Sequence, residues 1–138
     1  MADQVKLVNY CYVTVPNRPG RGAEVLAELR EAGVDLLAFT AFPGRSGKAQ
    51  VDLVTDDLAG VRRVARRNGW SLSDAKRVFL VQGDDRVGAV HRHLGKLADA
   101  RINVTAADAV TAGRGRFGMI VWVKPKDVRR AATALGAR

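Results

Sequence analysis

The sequence predicts an α+β protein: two βαββαβ units in tandem, with antiparallel sheets, helices on one face, and the last strand of the second unit missing. Three observations carry that expectation. Sliding the chain against itself by 68 residues (88 minus 20) pairs Val13 with Val81, Arg18 with Arg86, Gly20 with Gly88, Leu26 with Leu94, Leu29 with Leu97 and Gly47 with Gly115, without a gap. Two copies of one unit account for such a match. Within each copy, alternating apolar segments and segments with apolar residues every three or four positions follow the order strand, helix, strand, strand, helix. Finally, 138 residues with 47% hydrophobic and 27% charged side chains form an ordinary globular composition, unlike that of a disordered or collagen-like chain.

Val5 to Val15 is rich in Val, Tyr and Thr and stops at the turn cluster Pro16-Asn17-Arg18-Pro19-Gly20, which marks a first strand. A helix follows, with Val25 or Leu26, Leu29 and Ala32 as its apolar stripe and Gly33 as its stop. Val34 to Phe42 reads as the second strand, Pro43 to Gly47 as a hairpin loop, and Ala49 to Thr55 as the third strand. Asp56 or Asp57 caps the second helix, where Leu58, Val61, Val64 and Ala65 oppose Arg62, Arg63, Arg66 and Arg67. Trp70 to Asp74 is a candidate fourth strand. The second copy repeats the order from Val78 to Leu135, with Pro125 at a first helical position. It has no fourth strand of its own, because the counterpart of Trp70 is Arg138, the final residue. Its sheet edge is expected to be open or completed by another segment. The units are placed at residues 1–74 and 75–138.

Twenty-three Lys and Arg against 14 Asp and Glu give a net charge of +9, which raises anionic metabolites, nucleic acid and acidic surfaces as partners. The arginine cluster at 62–67 reads first as a solvated helix face. No apolar stretch approaches the roughly 20 residues of a membrane span, and no leader pattern opens the chain. A single cysteine, Cys11, lies in an apolar alternation and is expected to act as a small hydrophobe. A cytoplasmic protein without membrane association fits these features.

Catalytic constellations are missing. His91 and His93 are two apart, so on a helix they diverge and cannot chelate one ion; both are expected at the surface or its boundary. There is no HExxH, GxSxG, Walker or calcium-loop motif. Gly113-Arg114-Gly115-Arg116-Phe117-Gly118 lies between two strands and reads as a hairpin rather than a nucleotide loop. No catalytic residue, metal or cofactor is expected.

Ligand chemistry points instead to Asn17-Arg18-Pro19-Gly20-Arg21-Gly22, where an amide, two guanidinium groups and flexible backbone precede a helix N-terminus that favours a carboxylate. In the alternative reading the prolines and glycines only shape a turn that Asn17 caps. Asp85-Arg86-Val87-Gly88 stands at the same point of the second copy. After each first helix comes a polar residue flanked by apolar ones, Val34-Asp35-Leu36 and Ile102-Asn103-Val104.

The Asn-Arg-Pro-Gly turn, the helix with Leu26 and Leu29, and Gly33-Val34-Asp35-Leu36 resemble the ACT domain, a small-ligand regulatory module of amino-acid metabolism, and its stand-alone tandem proteins in particular. The resemblance implies ferredoxin-like units and a ligand site at the interface of two of them. Carried over, Asn17 to Gly20 would face Asn103 and Val104, and Asp85, Arg86 and Gly88 would face Asp35 and Leu36. Two neutral amides suit a zwitterion, whereas Asp85 with Asp35 would repel a carboxylate. The expected partners are a small amino acid or similar carboxylate, a second copy of the chain, and a metabolic enzyme under its regulation.

Two rival readings remain, a structural interaction subunit and a basic RNA-binding module. RNA-recognition motifs share the βαββαβ plan, and Arg114 to Gly118 with Val78 to Val81 echoes their aromatic strips. Face assignment argues against stacking, because the repeat places Phe79, Val81, Phe117, Met119 and Val121 on the helix-covered side. Val78, Leu80, Ile120 and Trp122 would then line the uncovered side as an apolar patch, predicting a homodimer through that face.

Overall fold

A computed structural model describes residues 3–138. The strands are β1 (Gln4–Pro16), β2 (Ala38–Pro43), β3 (Lys48–Val54), β4 (Lys76–Asp84), β5 (Val104–Gly113) and β6 (Arg116–Val123). The helices are α1 (Arg21–Glu31), α2 (Leu58–Asn68), α3 (Ala89–Asp99) and α4 (Val128–Leu135), the last preceded by a 3₁₀ turn at Pro125–Asp127. The expected α+β class and βαββαβ order hold.

The chain forms two compact units: Asn9–Lys76, and the described residues of Met1–Val8 together with Arg77–Arg138. We refer to them as the amino-proximal and carboxy-proximal units. The sequence repeat divides the chain at 74/75, whereas in space the opening residues group with the second copy.

In the amino-proximal unit the strand order is β2-β3-β1. Antiparallel pairing sets Val13 opposite Val51, Cys11 opposite Leu53 and Phe39 opposite Leu53. Odd-numbered residues of β1 and β3 therefore share a face, and Val13, Val51 and Leu53 bury against Val25 and Leu29 of α1 and Val61 and Val64 of α2. Asp57 caps α2, its Oδ1 accepting from the Gly60 N–H at 2.9 Å. Arg62, Arg63, Arg66 and Arg67 stay exposed, as the amphipathic pattern implies. The candidate fourth strand shrinks to one bridge, Leu72 against Val13, with the Ser73 N–H donating to the Tyr12 carbonyl. The second strand is also shorter than expected. It starts at Ala38 rather than Val34, because Val34 N–H is still held by the Leu29 carbonyl and Thr55 Oγ1 donates to the Asp35 carbonyl, so 34–37 stays a connection.

In the carboxy-proximal unit the order is β1-β4-β6-β5. Phe79 faces Val121 and Val81 faces Met119 across the β4–β6 pair. Those residues, with Val5, Phe117 and Val123, form the core under Ala89 and Leu97 of α3 and Ala131 and Leu135 of α4. Each of the larger side chains among them, removed from water, contributes roughly 1.5–3 kcal/mol. No strand follows α4. The neighbouring position beside β4 is taken by the first part of β1, and Arg138 exchanges backbone hydrogen bonds with Val5 and Leu7. Residues from the opening of the chain thus complete the edge that the repeat left without a strand.

The apolar patch read from the alternation is not a surface. Val78, Leu80 and Ile120 are 1%, 8% and 5% exposed within the chain, and Trp122 is half-buried. Alternation separates two faces of a strand but does not say that the second face is bare. The dimer argument from exposed apolar area therefore lapses.

Candidate functional site

Both strand-to-helix turns are built alike. Pro16 ends β1, the Asn17 N–H donates to the Gly47 carbonyl at 2.8 Å, and Gly20 takes a left-handed conformation (φ 87°) before α1 begins. In the second copy the Asp85 N–H donates to the Gly115 carbonyl at 2.8 Å, and Gly88 (φ 84°) precedes α3. Each glycine stands where an L side chain would be strained, which is why the repeat places Gly at both points. Neither helix has a side chain bonded to its first amides. Asn17 is exposed and its side chain does not cap α1.

The first amide of each helix is held by backbone, Arg21 N–H by the Arg18 carbonyl at 3.3 Å and Ala89 N–H by the Arg86 carbonyl at 3.0 Å, and the helix starts carry partial positive charge. Arg18 and Arg86 are exposed beside them. Arg21 leans along its helix instead, paired with Glu24 at 3.1 Å. In the carboxy-proximal unit a cavity of about 260 Å³ joins the turn (Asp85, Arg86, Gly88) to the Ala109–Thr111 stretch of β5.

The remaining expected site residues are placed elsewhere. Asp35 and Leu36 follow the C-terminal end of α1, a helix of 11 residues, and so lie about 16 Å from the Asn17–Gly22 turn along its axis. Asp35 Oδ1 accepts from the Leu36 N–H at 3.0 Å, which turns that carboxylate onto its own backbone. Leu36 instead borders a shallow depression with Arg30 and Gly33. Asn103 and Val104 likewise stand at the far end of α3 from Asp85–Gly88, with Asn103 exposed and Val104 opening β5. Within a unit, then, the two sets of residues lie at opposite helix ends.

The RNA-like strips are buried: Phe79 and Phe117 belong to the core, and Gly113 to Gly118 forms the hairpin between β5 and β6. No group of three metal-ligating side chains occurs among the described residues. Among the described residues no helix is long and apolar enough to cross a membrane. Burial pushes the Cys11 thiol up, which keeps it protonated inside the strand pair.

One cluster was missed from the sequence. His91 is exposed as expected, but His93 is 2% exposed and its Nε2 donates to Oδ2 of Asp3 at 2.7 Å. Arg92 Nη2 reaches the same oxygen at 3.0 Å, and the Asp3 side chain is only 4% exposed. Burial would raise the Asp3 carboxyl, but the His93 hydrogen bond, the charges of Arg92 and His93 and the Asp84 backbone hold it below its ordinary range. The available signal was the spacing Ala89, His93, Leu97, four apart on the buried stripe of α3, and the pairing of His93 with core Val25 at the 68-residue offset.

No protein-family model and no curated protein sequence matches the chain. Solved structures do. Protein BT0572 from Bacteroides thetaiotaomicron matches with TM-score 0.78 at 15% identity, over 96% of this chain and 88% of that one. The regulatory subunit of aspartate kinase from Thermus thermophilus, in its ligand-free form, matches with TM-score 0.61 at 15% identity, over 98% and 93% of the two chains. That of Thermus flavus gives 0.59 at 17% identity over 98% and 94%. The class defined by the repeat, the two turns and these likenesses is a pair of ferredoxin-like α+β units. The chain has the fold of a tandem ACT-domain protein.

Proposed function

We propose that this protein is a non-catalytic regulatory module that binds a small amino acid or similar carboxylate. The observation that carries the reading is the paired turn: Gly20 and Gly88 are both left-handed, and neither α1 nor α3 has a side chain on its first amides. A carboxylate placed there, beside the Arg18 guanidinium, gains both the helix terminus and a charge-assisted hydrogen bond. Asn17 offers a donor and an acceptor for the remaining polar groups of a zwitterion. The Asn17 turn is the stronger of the two, because Asp85 brings a like charge toward a carboxylate in the other. The resemblance of the fold to regulatory subunits of aspartate kinase supports an allosteric use of such binding.

Isothermal titration of the full chain with the twenty amino acids and a set of small carboxylates tests the proposal. Selective binding that weakens at least tenfold in Arg18→Ala supports it, and an unchanged affinity in that variant removes the turn from the site.

A further inference from the structure

The exposed side of α2 carries Arg62, Arg63, Arg66 and Arg67, and the helix from Leu58 to Asn68 contains no Asp or Glu. Among the described residues none of the four arginines has an ion-pair partner, in contrast to Arg21 and Arg30 of α1, which hold Glu24 and Glu31. Cations in a last turn are ordinary, because they complement the helix dipole, and that accounts for Arg66 and Arg67. It does not account for Arg62 and Arg63 one turn earlier, which form like-charge pairs with Arg66 and Arg67 at a spacing of four and so weaken the helix.

The fold does not demand this arrangement. In α4 the core-facing positions fall 67 residues on, with Val128, Ala131 and Ala132 answering to Val61, Val64 and Ala65. Thr133 and Ala134 then stand where α2 has Arg66 and Arg67. Arg130, the counterpart of Arg63, is taken up by the Asp127 carboxylate and the Ala100 carbonyl. Of the two equivalent helices, α2 alone presents four uncompensated guanidinium groups.

Their placement fits a duplex. At about 100° per residue, Arg62 and Arg66 lie about 50° to one side of the line pointing away from the core, and Arg63 and Arg67 about 50° to the other. A helix with its side chains is roughly 10–12 Å wide, close to the roughly 12 Å major groove of B-form DNA, which has a phosphate strand along each edge. One arginine pair therefore meets each strand. The deep, narrow major groove of A-form RNA is closed to a helix, and the face, Ala59 and Asn68 included, has no aromatic ring on which a single strand would stack. Guanidinium groups pair with phosphate through two parallel hydrogen bonds, and the +9 charge of the chain attracts a polyanion from a distance.

We propose that the arginine face of α2 binds the phosphate backbone of duplex DNA, without regard to base sequence. Contacts to phosphates set position and affinity but carry no sequence information. The surface shares no residue with the Asn17–Gly22 turn and stands without a carboxylate ligand.

The test is fluorescence anisotropy of the full chain with labelled duplex DNA at stepped salt. Four neutralised phosphates predict that log affinity falls against log salt with a slope of about −3.6. Arg62→Gln, Arg63→Gln, Arg66→Gln and Arg67→Gln together are expected to weaken binding at least tenfold. Removing the same charge from other exposed positions, with Lys96→Gln, Arg114→Gln, Lys124→Gln and Arg129→Gln together, is expected to leave affinity within about threefold. Should the four-arginine variant not fold, Arg62→Gln and Arg67→Gln are each expected to make the slope shallower by about 0.9, alike for duplexes of different sequence. Equal losses in the two fourfold variants, a slope unaffected by the single changes, no binding to DNA, or tighter binding to duplex RNA, single strands or anionic vesicles overturns the proposal.

Discussion

Nε2 of His93 lies 2.7 Å from Oδ2 of Asp3, a contact between residues 90 positions apart that pins the start of β1 to α3. Arg92 adds a second donor to the same oxygen from the solvent side. Removing one partner from such a pair leaves an uncompensated polar group in the interior. Asp3→Ala is accordingly expected to destabilise the protein by roughly 2–3 kcal/mol at neutral pH, less than a fully enclosed pair because Arg92 is partly solvated. Urea unfolding of the two proteins measures the difference.

The same pair sets a pH dependence. The folded carboxyl of Asp3 is held below its unfolded value, so its contribution is complete above an unfolded pKa of about 3.9 and is lost as pH falls through the lower folded value. The stability gap between wild type and Asp3→Asn is expected to be constant with respect to this group from pH 6 down to about 5 and to shrink below about 4. Unfolding curves at stepped pH check the direction.

Gly83 is small for a reason that the double-mutant cycle exposes. A methyl group there meets the Asp3 carboxylate. Gly83→Ala should cost about 1–3 kcal/mol through overpacking. In an Asp3→Ala background most of that cost is expected to vanish, and two additive penalties would contradict the contact.

Cys11 is wholly buried and its thiol is pushed up, so it should resist alkylation in the native state. Iodoacetamide labelling is expected to track global unfolding with denaturant. Rapid labelling of native protein would place Cys11 outside the core.

The elements most legible in the sequence were those with a strong local period. The apolar stripe of Val61, Val64 and Ala65 opposite four arginines marks α2, and the alternation at Phe117, Met119 and Val121 gives the buried face of β6. The Asp57 cap, the Gly20 turn and the Gly115 hairpin follow from residue chemistry at single positions. What escaped was decided by contacts distant in sequence. His93 looks like a surface residue until Asp3 is placed beside it, and Val78, Leu80 and Ile120 fall on the face the alternation leaves bare although they are buried within the chain. The start of β2 was misjudged because Val34, Asp35 and Leu36 have strand-like composition, while Leu29 and Thr55 hold their backbone in a connection. In the candidate site, both turns were legible as motifs, whereas the distance from Asn17 to Asp35 depends on the helix that separates them.

The central claim is that the Asn17–Gly22 turn holds a carboxylate ligand, and a thermal-shift series tests it most directly, because a ligand that binds only the folded chain raises Tm by mass action. Wild type, Asn17→Ala and Arg18→Ala are compared against each amino acid and small carboxylate. Both side chains are exposed, so neither change should lower the unliganded Tm appreciably. The expected result is a selective, saturable rise for wild type that both variants lose. A rise retained in full by both variants, or no rise with any compound in folded protein, would contradict the account.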